Sequence, residues 1–187
     1  SHLFAGLATQ FSVFSSAPFQ LTATEYHNGL GSSTSHSISH KNTLYLFTNG
    51  GDMQIYDISD ATYPQLRGSV NLNDSGDTAN YIFSSAISDN YLYLATRTQE
   101  VMVLDITVPE SPILLPSITL DGLEGVGYVK QVEINNSLLF VATDVGLVIV
   151  DISEPDAPFE VDRINPDLGY KLTAAGLLQG ERYYLAM

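Results

Sequence analysis

The sequence contains no cysteine, few cations and no long apolar run. Without cysteine, disulfides, thiolate metal sites and a cysteine nucleophile are excluded, and the redox compartment stays open. Lysine and arginine total 7 against 21 acidic residues, a formal net charge of −14, so the chain lacks the basic footprint that nucleic-acid binding requires. No stretch approaches the ~20 apolar residues of a membrane span, and the apolar segment 3–14 lacks the basic region of a signal peptide. We therefore expect neither nucleic-acid binding nor direct membrane insertion.

The 187 residues are otherwise rich in the composition of strands and turns. Apolar residues make up 44%, which is enough for a core, whereas charged residues make up only 15%. The polar remainder is Ser, Thr, Asn, Gln and Gly, which favours strands and turns over exposed helices. The chain begins at Ser1 and ends in the apolar run 183–187, so we expect it to be processed or part of a longer chain.

A unit of about 47 residues recurs along the sequence, and recurrence on this scale predicts a repeat architecture. In three copies an apolar segment is followed by Asp-Ile-Ser or Asp-Ile-Thr, and a proline lies seven positions after the aspartate. The successive aspartates are 48 and 46 residues apart. The pairs are Asp57 with Pro64, Asp105 with Pro112, and Asp151 with Pro158.

Each copy predicts four short strands, because its Val-, Ile-, Leu- and Tyr-rich runs are separated by Gly, Pro, Asn or Asp. The second and third runs of each copy are almost continuously apolar, so both of their faces should be covered. Four-stranded antiparallel sheets that stack radially cover both faces, which predicts an all-β fold of the β-propeller type. The expected strands are 81–88, 91–96, 101–106 and 112–119 in the second copy, and 129–134, 138–143, 146–152 and 158–164 in the third.

The blade boundaries follow from the same repeat. We expect an arc of a larger ring of about six to eight blades, which either pairs with a second copy or belongs to a longer chain. The expected segments are an incomplete blade at 1–26, complete blades at 34–71, 80–120 and 127–165, and the start of a further blade at 171–187.

Residues 147–151 read Leu-Val-Ile-Val-Asp, and the chain resembles the LVIVD repeat family of bacterial and archaeal proteins. The resemblance covers nearly the whole chain, and the Asp-Ile-Ser/Thr element with its proline is the most specific part. It implies a β-propeller in a secreted or cell-surface protein, with a periplasmic location as an alternative, and a biochemical role that is mostly undefined. Tryptophan is absent, so the Trp-Asp and kelch signatures of other propellers do not fit.

The aspartates Asp57, Asp105 and Asp151 have two interpretations, as carboxylate ligands or as turn residues. A residue that recurs in every copy and ends a strand is typical of a structural role, in which its side chain accepts backbone N–H bonds in the following turn. We favour the turn.

Acidic residues also cluster in the loops that are expected to share one propeller face. Such a rim suits Ca²⁺ or a cationic partner, and the alternative is a solvated surface that keeps the protein soluble. The candidates for this acidic loop face are Asp52, Asp74, Asp77, Glu100, Asp121, Glu124, Asp144 and Asp167.

Two segments are weak metal candidates. In the loop 71–77, Asn71, Asn73, Ser75 and Asp77 alternate as they do in an EF-hand, but the acid required at position twelve is Ile82. His36 and His40 lie four residues apart on a predicted innermost strand and so face the same side. Polar residues at a strand end are the alternative interpretation.

These features favour a non-enzymatic extracellular or cell-surface binding module, with a protein or carbohydrate partner on a propeller face. One alternative is a Ca²⁺-dependent propeller hydrolase or lactonase with its metal in the central channel, for which the inner strands offer Glu133, Asp89 and His36. Another alternative is a structural spacer in a large surface protein. No catalytic residue is predicted, since Ser is abundant but no Gly-x-Ser-x-Gly motif occurs.

Overall fold

A computed structural model describes the backbone of residues 2–7, 10–16, 19–26, 33–73, 81–120, 128–164, 176–179 and 182–185, and the side chains of 12–14, 33–73, 81–120 and 128–164. Every regular element in these residues is a β-strand, as the repeat pattern predicts. The same residues hold no helix with the length and apolar character that crossing a membrane would require.

Three four-stranded antiparallel sheets form the centre of the chain, and in each the strands pair in sequence order. These are the predicted blades. The first contains β4 (Thr34–His40), β5 (Thr43–Thr48), β6 (Asp52–Asp57) and β7 (Gln65–Asn71). The second contains β8 (Ser84–Ser88), β9 (Tyr91–Ala95), β10 (Glu100–Asp105) and β11 (Ile113–Thr119). The third contains β12 (Val129–Asn135), β13 (Leu138–Thr143), β14 (Leu147–Asp151) and β15 (Phe159–Ile164).

Two shorter sheets flank these three. The first has three strands in the order β1-β2-β3, and the last is the pair β16-β17. Their bounds are β1 (His2–Leu7), β2 (Gln10–Ser16), β3 (Phe19–Tyr26), β16 (Gly176–Gln179) and β17 (Arg182–Leu185). The flanking copies therefore also form antiparallel sheets.

The strands of the second and third blades agree with the expected bounds to within one residue, except at the start of β8. That strand was expected from 81 and begins at Ser84. The reason is the partner strand: β9 ends at Ala95, which already pairs with Ser84, so residues 81–83 have no ladder to join.

The repeated proline immediately precedes each fourth strand. The strands β7, β11 and β15 begin at the residue after Pro64, Pro112 and Pro158. Among the strands that the structure describes, each fourth strand pairs on one side only, with the third strand of its own blade. Proline is tolerated at the first residue of such an edge strand, where its missing N–H breaks no ladder bond.

The chain divides into two compact units. The first unit comprises residues 1–82 with 108–112, and the second comprises 83–107 with 113–187. In the first unit, Val13 of β2 packs with Leu44, Leu46 and Tyr56 of the first blade. This small cluster joins the three-stranded sheet to the blade that follows it.

The second unit contains a larger core, formed by apolar side chains of the second and third blades. The central strands contribute alternate residues to it, as expected for a sheet with two covered faces. In β9 the four residues 92–95 are all at most 1% exposed, which confirms the expectation for that strand. The members of this core include Tyr93, Val101, Val103, Ile118, Val132, Leu139, Val141, Val148 and Val150.

Candidate functional site

The repeated aspartates close the turn between the third and fourth strands. The side-chain Oδ1 of Asp57 accepts the backbone N–H of Ser59 at 2.8 Å. The side chain of Asp105 accepts from Thr107 at 2.7 Å, and that of Asp151 accepts from Ser153 at 2.8 Å. Hydrogen bonds of this kind favour the charged carboxylate and lower all three pKa values. For Asp57 the main cause is the Ser59 N–H, whereas for Asp105 and Asp151 it is the hydroxyl of Thr107 and of Ser153, followed by the N–H of the same residue. The turn interpretation is confirmed.

Asp57 is the most strongly perturbed of the three. Its carboxylate also pairs with the Arg67 guanidinium at 2.9 Å, and its pKa falls to about 2 through the hydrogen bonds from Ser59 first and Arg67 second. The pair is exposed, so its role is to order the turn and not to build a reactive centre.

The acidic loop face is only partly described. Asp52 begins β6, Glu100 begins β10, and Asp144 lies in the turn between β13 and β14 with 4% of its surface exposed. No measurement tests whether these acids bind a cation or a partner, so that function remains a prediction. The other candidates lie outside the described residues: Asp74, Asp77, Asp121, Glu124 and Asp167.

Asn71 and Asn73, the first two candidate ligands of the EF-hand-like segment, form hydrogen bonds within the first blade. Asn71 donates to Asp52 Oδ1 at 3.1 Å and accepts the backbone N–H of Asn73 at 2.8 Å. Asn73 donates to the Gly50 carbonyl at 2.8 Å and lies against Gly51, whose φ of +80° suits glycine. These bonds fasten the end of β7 to the turn between β5 and β6. Ser75 and Asp77 lie outside the described residues.

His36 and His40 lie towards opposite ends of β4. Residues four apart on a strand are separated by about 13 Å, whereas a transition metal needs imidazole nitrogens at about 2 Å. His36 stacks on Phe47 with ring centroids 6.0 Å apart, and burial lowers its pKa. Within the ranges that the structure describes, no three His, Asp or Glu side chains form a metal-binding group. Glu133 accepts a hydrogen bond from Gln131 on the same strand, and Asp89 lies in the turn after β8.

A buried threonine at the end of each second strand organises the loop to the third strand. Thr48, Thr96 and Thr143 are at most 2% exposed, and each is followed by a tip of three residues. The Thr143 hydroxyl donates to the Gly146 carbonyl at 3.0 Å and accepts the N–H of Gly146 at 3.0 Å. Sequence analysis did not identify this role, although the residue recurs in every copy.

Two cations and two aromatic rings meet in the second unit; we call Phe83, Arg97, Tyr128 and Lys130 the Arg97–Tyr128 cluster. The Arg97 guanidinium lies 5.5 Å from the Tyr128 ring centroid. The Lys130 ammonium lies 4.8 Å from the same centroid and 5.4 Å from that of Phe83. Arg97 is exposed, and the other three side chains are half-buried.

Sequence analysis missed this cluster, although a signal was present. Ala95 pairs with Ser84, and the equivalent Ala142 pairs with Gln131, so the preceding residues Phe83 and Lys130 occupy equivalent positions in successive copies. Equivalent ends of neighbouring first strands are close in a propeller, and the repeat alignment therefore relates the two residues.

A cavity of about 330 Å³ lies at the other end of these strands in the second unit. It is lined by the turn after β8, the turn after β12 and Tyr93. The Tyr93 hydroxyl is buried and has no hydrogen-bond partner among the described residues. Burial, together with Tyr91 and Asp89, raises its pKa to about 12.

The repeat model of one family matches the chain. The LVIVD repeat matches residues 42–72, 84–119 and 126–165, which together are more than half of the chain. The chain belongs to the LVIVD repeat family. The second and third matched segments each span a whole four-stranded sheet, and the first spans β5 to β7 of the first sheet. Each match to the repeat therefore lies within one blade. None of the curated proteins matches this LVIVD-repeat chain.

Solved structures resemble the LVIVD-repeat chain in fold at low identity. The computationally designed Ika8 protein is 17% identical with a TM-score of 0.65, and the match covers 94% of this chain and 49% of that one. A protein from Lactobacillus plantarum is 14% identical with a TM-score of 0.70, covering 84% and 51%. The periplasmic gluconolactonase PpgL of Pseudomonas aeruginosa is 12% identical with a TM-score of 0.69, covering 84% and 48%. The chain thus spans about half the length of each of these proteins, and the likeness supports a partial β-propeller.

Proposed function

We propose that this LVIVD-repeat chain is a non-enzymatic binding module of a secreted or cell-surface protein. The fourth strands within each unit offer separate contact surfaces for a partner protein. The family resemblance supports the location, and the exposed side chains of those strands support the mode of binding.

The exposed apolar side chains carry the proposal. All eight large apolar side chains that are exposed in the described residues lie on a fourth strand or in the turn before it. Exposed apolar groups that gather on one kind of element mark contact surfaces more often than singly scattered ones. The eight are Tyr63, Leu66, Val108, Ile113, Leu114, Phe159, Val161 and Ile164.

The third blade offers the clearest part of this surface. Phe159 is 58% exposed and Val161 is 53% exposed, and they lie two residues apart on β15. Alternate residues of a strand point to the same face, so the two side chains share one apolar strip. Among the described strands β15 pairs only with β14, so its other backbone edge has no strand partner there and suits a further strand.

The test compares two variants of the tagged protein in capture from the secreted and surface fraction of the source organism. Phe159→Ser with Val161→Ser removes the strip, and Glu154→Ser changes an exposed residue in the turn before the same strand. We expect a partner that the wild type and Glu154→Ser retain equally, and that the double variant binds at least about tenfold more weakly.

Both truncated side chains are exposed, so their loss should change stability by less than about 0.5 kcal/mol. An unchanged set of captured proteins in the double variant contradicts the proposal and favours the structural spacer. A thermal melt of each variant separates lost contact from lost folding.

The hydrolase alternative keeps its own test. The fold is shared with a gluconolactonase, and the alternative requires a divalent ion that is bound at the channel. A melting temperature that rises by several degrees with micromolar Ca²⁺ and falls again with chelator supports it, and an unchanged melting temperature contradicts it.

A further inference from the structure

We propose that the Arg97–Tyr128 cluster binds a sugar acid, whose carboxylate pairs with Arg97 and Lys130 while its ring packs against Phe83 and Tyr128. This site is separate from the apolar strip on β15, and it does not depend on the proposed protein contact. Four observations support it: the spacing of the groups, their unused hydrogen-bond donors, the bonds that hold the elements in place, and the charge of the molecule.

The spacing brings two positive charges to one aromatic ring. Arg97 and Lys130 lie 5.5 and 4.8 Å from the Tyr128 centroid. A cation over a ring face is attracted by the ring quadrupole, but two cations at one ring also repel each other. An anion placed beside both relieves that repulsion.

Within the part of the chain that the structure describes, the side-chain donors of these cations have no acceptor. No described residue forms an ion pair or hydrogen bond with the side chain of Arg97 or Lys130. A guanidinium has five N–H donors and an ammonium has three. The contact with a ring face is not a conventional hydrogen bond, so these donors can still bind an acceptor. In contrast, Arg67 and Arg163 pair with Asp57 and Glu160.

The elements that carry the cluster are joined to one another. The N–H of Val129, next to Tyr128, donates to the Thr98 carbonyl at 3.2 Å, next to Arg97. Ser84 follows Phe83 and begins β8, and its hydroxyl lies 3.4 Å from both the backbone N and the backbone O of Val132 in β12. These bonds hold β8, β12 and the tip 97–99 together. Ligand binding therefore loses little conformational entropy of the backbone.

The chemistry of the groups selects a carboxylate on an apolar ring. Arginine matches the two oxygens of a carboxylate, and aromatic rings pack against the C–H face of a sugar. The two rings are tilted by 56° with centroids 6.3 Å apart, so they form an angled apolar wall. The net charge of −14 repels anions in proportion to their charge, so a single carboxylate is favoured over a phosphate dianion or an acidic polymer.

The experiment measures binding of sodium glucuronate by saturation-transfer difference NMR and calorimetry at low salt. Glucose is the neutral ligand of the same shape, inorganic phosphate tests for a simple anion, and polygalacturonate tests for a polymeric source. We expect glucuronate to bind at least about tenfold more tightly than glucose or phosphate, and more tightly per residue than the polymer.

Substitutions of the two cations test whether the ligand binds at the cluster. Arg97→Gln and Lys130→Gln should each weaken glucuronate binding by about tenfold or more, whereas Lys41→Gln in the first unit, which removes the same charge, should leave it unchanged. Equal binding of glucose and glucuronate, equal binding of phosphate and glucuronate, tighter binding of the polymer, or wild-type affinity in both cluster variants overturns the proposal. Absence of any glucuronate binding to the folded wild type also overturns it. Loss of the captured protein partner does not bear on it.

Discussion

At the scale of single residues, the carboxylate that follows each third strand links the repeat to stability against acid. Asp57 accepts the Ser59 N–H and pairs with Arg67, and its pKa lies near 2 instead of 3.8. A lowered folded-state pKa stabilises the protein above the unfolded pKa, and this stabilisation is lost as the pH falls towards the folded pKa.

Asp57→Ala should therefore lower the urea midpoint at pH 6, and the difference from the wild type should shrink between pH 3.8 and about 2. Asp57→Asn keeps an oxygen acceptor without the charge and should lie between the two at pH 6. Urea titrations at pH 6, 4 and 2 measure this. A difference that is the same at all three pH values would contradict the assignment.

At the scale of elements, the buried threonine sets the loop from the second to the third strand. Thr143 is fully buried, and its hydroxyl serves the N–H of Val145 at 3.2 Å as well as both backbone groups of Gly146. A methyl in place of that hydroxyl removes the acceptor of the buried Gly146 N–H, while the Gly146 carbonyl keeps the Thr143 N–H at 2.8 Å. A buried donor without its acceptor costs about 1–3 kcal/mol.

Thr143→Val should consequently lower the free energy of unfolding by about 2 kcal/mol, because the isosteric side chain preserves the volume and removes only the hydroxyl. Thr143→Ser keeps the hydroxyl and should lose less. Urea unfolding with an unchanged m-value measures the effect. Equal stability of wild type and Thr143→Val would refute the role of the hydroxyl.

The sequence was informative about elements because each strand signal occurs three times. The third blade matched at every strand, since its apolar runs end at Gly, Pro, Asn or Asp. The start of β8 was wrong because ladder length depends on where the partner strand ends, which local composition does not encode. The Arg97–Tyr128 cluster was not found because its residues come from three separate segments, and their approach depends on how neighbouring blades stack.

At the scale of the whole molecule, stability should also fall at high pH. Burial is the main cause that raises the pKa of both Tyr45 and Tyr93 to about 12. A raised folded-state pKa gives stability that is complete below the unfolded value of 10 and is lost as the pH rises to about 12.

The blade count of the complete ring stays a prediction at this scale.

Tyr93→Phe should raise the free energy of unfolding at pH 7 by about 1 kcal/mol, because it removes a buried hydroxyl for which the described part of the chain offers no hydrogen-bond partner. It should also reduce the loss of stability between pH 10 and pH 12. Tyr63→Phe, the same change at a ring that is 65% exposed, is the matched control and should have little effect. Guanidinium titrations at pH 7, 10 and 11 follow both changes, and a less stable Tyr93→Phe would show that the hydroxyl is hydrogen-bonded in solution.

The buried threonines have a consequence for how such proteins diversify. Each of these threonines is followed by a tip of three residues, and the three tips differ in sequence. They are Asn49–Gly51, Arg97–Gln99 and Asp144–Gly146. The first and third tips both end in glycine, so an exchange between these two leaves the anchoring oxygen where it was and keeps glycine at position 51. The tip sequences can therefore differ from repeat to repeat while the threonine that anchors them stays the same.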